Sequence, residues 1–390
     1  MDFNFKKSLL FASLTLTLTT ECTSVALFDK PISGYDQGQK ANGKGLNARL
    51  QDLVELKADS IVSLSSILQM EVSNGQYIVR DDNGVYSFDR TGKRICRFGE
   101  KGHGRGEYVN LSCFFVKGNG NVCIIDDYKQ SVMEYSRDGH FVSEKKAPDG
   151  TFSYIGTSIA LPDKNAIFCS FMANPENDEF CAEIDEDFKK NVIYKSELKS
   201  TRTSEMIGRH PISIFDGIVR CVRPYDNCIY TYGEEFPTSV TIPKSIISTT
   251  SDEEKRNYTY LSLLNEAIKD KFVGFTDIFE TDRFIMLGVS NYDYVMIDKE
   301  KAECAHHKYS IPEKATNTPL INIMAADELH LYGVLTPINA YTCNKTIMRN
   351  KDFKRIAEAM NRVKETDNPV ILVYYMPNKK GSTDTFRSND

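Results

Sequence analysis

The sequence predicts an all-β chain closed into a six-bladed β-propeller with two peripheral helices. Three observations carry this. Apolar strands recur with matching points at Tyr77, Val122, Phe168, Ile229, Phe284 and Leu329, at separations of 45, 46, 61, 55 and 45 residues. A four-stranded unit repeating every 40 to 50 residues or so is the period of a propeller blade. Hairpin signals recur between the strands, such as Asp81–Gly84, Asp89–Gly92 and Asp138-Gly139. One unit can also be read nearly whole, between Arg97 and Lys146. A sandwich of two sheets is the rival fold, and nothing in it requires a near-constant hairpin period.

The whole unit begins with Leu111–Val116, an apolar strand with Cys113 and Phe115 on one face. Lys117–Asn121 is rich in Gly and Asn, which reach positive φ cheaply and so turn the chain. Val122–Asp126 is continuously apolar up to its last residue, as a strand buried on both faces must be. A third strand, Val132–Tyr135, leads through Arg137-Asp138-Gly139 to Phe141–Lys145, charged as an edge strand should be. The preceding unit repeats the plan at Gln76–Arg80, Val85–Phe88 and Arg94–Phe98.

The two longer separations call for insertions. Ser251–Glu254 has the form of a capping box, and Leu261, Leu264 and Ile268 follow at helical spacing, so a helix is expected over 252–270. A second is expected over 351–365, where Phe353, Ile356, Met360 and Val363 form one stripe ending before Asp367-Asn368-Pro369. Val370–Tyr375 then returns as a buried strand. Ring closure needs a strand from the N-terminal side. The candidate is Asp52–Leu64, with His330–Leu335 and Val370–Tyr375 as partners.

Outside the repeat, residues 1–26 read as a secretion signal. Lys6 and Lys7 precede an apolar run, Leu9–Leu18, that is short for a membrane span. Two processing sites compete: cleavage after Ala26, and lipidation at Cys22, although Thr19-Thr20-Glu21 is a poor lipobox. Residues 27–50 read as a flexible linker, 51–378 as the propeller and 379–390 as a disordered tail.

The net charge of −6, with no Lys/Arg cluster, argues against a nucleic-acid surface. Contact with a membrane is expected only through an N-terminal lipid. There are ten cysteines. Cys113, Cys123 and Cys169 sit in apolar runs and read as small hydrophobes, whereas Cys221 and Cys228 flank a turn and are the expected disulfide pair. His306 and His307 are adjacent on a strand and would face opposite ways, so one ion can hardly take both. Gly-x-Ser-x-Gly is absent, and no Ser/His/Asp or Cys/His/Asn arrangement stands out.

The stretch Phe98-Gly-Glu-Lys-Gly-His-Gly-Arg-Gly-Glu-Tyr108 resembles the Gly-x-Gly-Pro-Gly-Glu-Tyr connector of bacterial six-bladed propellers of the NHL-like and TolB-like kind. The following blade and the ending Leu331–Leu335 with Asn368–Leu372 resemble them too, so the likeness spans roughly residues 50–376. Arg105 replaces the proline. The resemblance implies an exported protein of a Gram-negative envelope, periplasmic or on the outer membrane or cell surface, from a family mostly of unknown function.

Two function classes follow. One is a non-catalytic propeller presenting a rigid loop face to a protein, peptide or glycan. The other is a hydrolase or lyase holding a calcium or zinc ion in its channel by residues from several blades; no other cofactor is expected. The candidate binding residues are His103, Arg105, Glu107 and Tyr108 of the connector with Asp126 and Asp127 of the next turn. Against a phosphate-cradling role for the glycines stands the strand, not helix, that follows them. Against a ligand role for the aspartates stands their habit of capping turn amides.

Overall fold

The computed structural model describes residues 33–35, 48–57, 64, 66–161, 166–171, 179–195, 209–223, 227–234, 237–240, 248–249, 271–272, 274–289, 294–307, 322–336, 355–356, 358, 362 and 368–376. Two strands, β1 (Ser33–Tyr35) and β2 (Arg49–Glu55), precede the first blade. That blade is β3 (Gln69–Ser73), β4 (Gln76–Arg80), β5 (Val85–Phe88) and β6 (Arg94–Phe98). The connector carries the short parallel pair β7 (Glu100–Lys101) and β8 (Glu107–Tyr108). Blade two is β9 (Leu111–Val116), β10 (Val122–Asp126), β11 (Ser131–Tyr135) and β12 (Phe141–Lys146). Blade three is β13 (Ile155–Ala160), β14 (Ile167–Phe171), β15 (Glu179–Ile184) and β16 (Lys190–Lys195). Blade four is β17 (Ile212–Phe215), β18 (Ile218–Cys221), β19 (Cys228–Thr231) and β20 (Thr238–Ser239). A parallel pair, β21 (Ser248–Thr249) and β22 (Lys271–Phe272), follows. Blade five is β23 (Phe275–Glu280), β24 (Phe284–Val289), β25 (Tyr294–Asp298) and β26 (Glu303–His307), with β1 added in parallel beyond β26. Blade six is β27 (Ile323–Ala326), β28 (His330–Leu335) and β29 (Val370–Tyr375), completed by β2 running antiparallel to β29. Both chain ends therefore meet in one blade, as ring closure requires.

Strand alternation explains how the blades adhere. On β9, Phe114 packs with Ile78 and Phe98 of blade one, while Cys113 and Phe115 pack with Phe152, Cys169 and Ile184 on the blade-three side. On β10, Val122 and Ile124 face blade one, and Cys123 and Ile125 face blade three. A strand between two neighbours has no polar face, hence the unbroken apolar run at Val122–Ile125. Six such clusters occur among the described residues, one at each blade interface. Each fully buried large side chain contributes about 1.5–3 kcal/mol.

Three details differ from the sequence reading. Ile229 lies on the third strand of its blade, not the second. The second strand there is β18, reached from β17 through a tight Asp216-Gly217 turn with both residues at positive φ. Val219 is the matching point, 51 residues after Phe168 and 65 before Phe284, so the large insertion falls after blade four. Cys221 and Cys228 are both thiols, opposite Tyr230 and Ser239 in the ladder. Part of the stretch read as a linker, Ser33–Tyr35, pairs with blade five. The helix expected over 252–270 lies outside the described residues. Within 351–365, Arg355, Ile356, Glu358 and Arg362 are helical, and Ile356 is buried against blades five and six.

Candidate functional site

The glycine-rich connector is a folded bridge between blades one and two. Gly99 and Gly106 have φ of 65° and 73°, and a Cβ would lie 2.4 Å from Tyr135 Oη at the first and 2.7 Å from the Phe141 ring at the second. Only glycine fits such close approach at positive φ. Tyr135 Oη donates to the Gly106 carbonyl at 2.8 Å. Glu107 Oε2 accepts from the Gly104 amide at 2.8 Å, and Lys129 Nζ donates to the Glu107 carbonyl at 3.0 Å. The Arg105 guanidinium lies 5.3 Å from the centre of the Phe141 ring. Tyr108 is buried and donates to the Asn83 carbonyl at 3.0 Å, so its hydroxyl ties the connector to blade one. His103 and Arg105 are exposed. The connector thus packs on β11 and β12, the outer strands of blade two.

Asp126 is fully buried and committed to the backbone. One oxygen accepts from the amides of Val109 (2.6 Å) and Asn110 (3.3 Å), the other from those of Tyr128 (3.0 Å) and Lys129 (2.8 Å). It therefore joins the end of the connector to the following turn. Asp127 accepts from the Asn110 side chain at 2.6 Å. Asp81, Asp298 and Asp327 each cap two amides of their own turns in the same way. This is the physical content of the recurring aspartate turns.

A large concavity lies elsewhere. Each first strand, β3, β9, β13, β17, β23 and β27, contributes its C-terminal end to a cavity of about 660 Å³ on the channel axis. The connector precedes the N-terminal end of β9, so the cavity and the connector sit at opposite ends of that strand. His210 lines the floor. Its Nδ1 lies 2.9 Å from the Ile278 carbonyl and its ring stacks on Phe279 at 4.6 Å; burial lowers its pKa, so the imidazole is neutral and Nδ1 is the donor. Arg209 reaches from blade four to the Ile67 carbonyl near blade one.

The mouth is acidic. Glu280 is buried and holds Arg220 at 2.6 Å and Lys299 at 3.0 Å. Asp327 accepts from His330 and Tyr332, whose hydrogen bonds bring its carboxyl down to about 2 against the opposing effect of burial. Lys117, the cation at the rim, is paired with Glu134 at 2.6 Å. Asp216, Asp282 and Glu328 are exposed there. Glu71, on the wall, differs from these. Its Oε1 is out of contact with water and accepts no hydrogen bond, and burial raises its carboxyl to about 8 although the Val116 amide opposes this.

Sequence reasoning missed this set. The signal was present in the turns that end each first strand, Ser73-Asn74-Gly75, Asp216-Gly217 and Asp327-Glu328. Aligning the blades on their second strands hid them.

Among the described residues no three His, Cys, Asp or Glu side chains gather as a metal site. His306 and His307 pair through the backbone with Val295 and Tyr294. Burial pushes the Cys113 and Cys123 thiols up to about 12, consistent with small hydrophobes. Cys22 lies outside the described residues.

Known proteins agree on architecture. The chain resembles a Bacteroides fragilis protein inferred to be exported, with 17% identity, 90% of this chain and 100% of that one covered, and a TM-score of 0.61. It also resembles a DUF4221 family member from Bacteroides vulgatus, with 10% identity, 86% and 99% coverage and a TM-score of 0.51. At such identities the likeness is one of fold. No curated protein matches the chain. Residues 54–375 match the model of a domain of unknown function, DUF4934. The chain therefore belongs to the DUF4934 family and folds as a six-bladed β-propeller.

Proposed function

We propose that this is an exported, non-catalytic binding propeller of the cell envelope whose ligand, a protein, peptide or glycan, engages the channel mouth at the ends of the first strands. The observation that supports it is the 660 Å³ cavity, to which all six blades contribute. A concave site at the ends of strands in a rigid scaffold is a usual place for recognition. Export rests on the N-terminal Lys6-Lys7 and the apolar run behind them, with periplasmic, outer-membrane or cell-surface residence as the destinations.

The test is Ala326→Trp, which places an indole at the mouth. Wild type is expected to bind members of a peptide and glycan array, and the variant to stay folded, at a cost of about 1–3 kcal/mol because Ala326 packs on the cluster between blades five and six, and to lose at least tenfold in affinity. Unchanged array binding would remove the channel from consideration.

A second surface is the connector, where His103 and Arg105 are exposed and Glu107 holds the Gly104 amide, with Asp127 in the next turn of the same blade. Exposed loop residues on a rigid frame suit partner contact. Arg105→Ala with Glu107→Ala is expected to cost about 1 kcal/mol of stability, from the lost Gly104 cap and the exposed guanidinium contact. If the connector carries recognition, a pull-down from envelope extract will recover less partner with the double variant. Equal recovery with near-equal melts would clear it.

A further inference from the structure

We infer that the channel mouth binds a primary ammonium group on an unbranched aliphatic chain, with the Glu71 carboxylate as its counter-charge. The inference rests on the channel being the binding site. Three observations carry it. Among the described lining residues, Glu71 is the carboxyl with a buried oxygen that nothing satisfies. A buried acceptor without a donor is costly, so a ligand that supplies one gains accordingly. The exposed lining residues that carry charge are acidic, Asp216, Asp282 and Glu328, while Lys117 is held by Glu134 and buried Glu280 is matched by Arg220 and Lys299. Such a rim draws cations inward. Finally, Val72, Ile214 and Phe215 line the same cavity and offer apolar wall to a methylene stem.

The donor set selects among cations. The Val116 amide already serves Glu71, leaving one oxygen open. One open oxygen suits a point-like ammonium better than a planar guanidinium, which prefers two. A bare metal ion would need more ligands than the described residues bring together.

Binding is coupled to a proton. Glu71 is mostly protonated at pH 7, because burial raises it to about 8. An arriving ammonium displaces that proton to solvent as the carboxylate forms. Affinity should therefore climb by up to about tenfold per pH unit from pH 6 and level off above about pH 8. The groups facing Glu71 are Cys113 and Cys123, neutral in this range, and Cys113 also faces Arg80, which donates to the Leu111 carbonyl. The others are Lys117, Glu280, the rim acids Asp216, Asp282 and Glu328, ionised Asp327 and neutral His210 on the floor.

The experiment is calorimetric titration of the full chain with spermidine and with a capped Gly-Lys-Gly peptide, at pH 6, 7 and 8.5 in two buffers of different ionisation enthalpy. The ε-acetylated peptide is the control. At least one amine is expected to bind one-to-one and to release nearly one proton at pH 7. Binding by spermidine alone points to a free polyamine, and binding by the peptide alone to a protein lysine; either supports the inference. Acetylation should cost at least tenfold. Glu71→Gln should also cost at least tenfold and abolish the proton release, while melting no lower than wild type. Failure of both amines, or undiminished binding by Glu71→Gln, overturns the inference. If both amines fail while an uncharged glycan binds in a manner lost in Ala326→Trp, the channel reading stands and only the ammonium is wrong. Amine binding that survives Ala326→Trp would overturn the channel reading itself.

Discussion

Asp126→Ala is expected to lower stability by about 3–5 kcal/mol. The substitution strands four part-buried backbone amides, those of Val109, Asn110, Tyr128 and Lys129, around the buried Asp126 carboxylate. Each unmet buried donor costs roughly 1–3 kcal/mol, and the four share one acceptor group, so the costs do not simply add. Asp126→Asn keeps acceptor capacity on one oxygen only and should fall between. Denaturant and thermal melts read the effect directly. If Asp126→Ala melts like wild type but loses a ligand, the aspartate belongs to a binding site and not to the frame.

The second large effect runs in the opposite direction. Glu71→Gln should stabilise the fold by about 3 kcal/mol at pH 8 and by almost nothing near pH 4. An ordinary glutamate titrates near 4.5, and in the folded protein burial raises this one to about 8. Between those values the folded chain holds the proton more tightly than the unfolded chain. Stability therefore falls as pH rises from 4.5 to 8, and is flat beyond. At about 1.4 kcal/mol per pH unit the full span approaches 5 kcal/mol, and the part of the side chain still in contact with water reduces it to about 3. The amide variant is isosteric with the neutral acid and escapes the penalty. Parallel stability curves for the two proteins across this range would show that the carboxyl is not desolvated.

Much of the fold was legible because propeller strands carry their environment in their composition. Val122–Ile125 is apolar on consecutive positions since β10 lies between two blades. The closure by β2 and β29 followed from the need to remove a free edge, and Val370–Tyr375 announced itself as a buried run. Blade four was harder. Its first hairpin turns on two residues, Asp216-Gly217, and reads as one apolar segment, so the matching point slipped onto β19.

The site was less legible for a physical reason. The side chains that line this cavity come from six places in the chain, at or beside the first strand of each blade, and none is unusual in its own neighbourhood. The connector looked distinctive because glycine is conspicuous. Its glycines answer to Tyr135 and Phe141, and its Tyr108 to Asn83, which are packing demands. Glu71 carries no local signal at all; its character depends on what the other blades fail to bring to it.

The most direct test of the central claim, recognition at the channel mouth, sets Ala326→Trp against the Arg105→Ala, Glu107→Ala double variant on one peptide and glycan array. The account predicts that the tryptophan removes binding and the double variant retains it, both proteins remaining folded by their melts. Retention by Ala326→Trp together with loss by the double variant would contradict it.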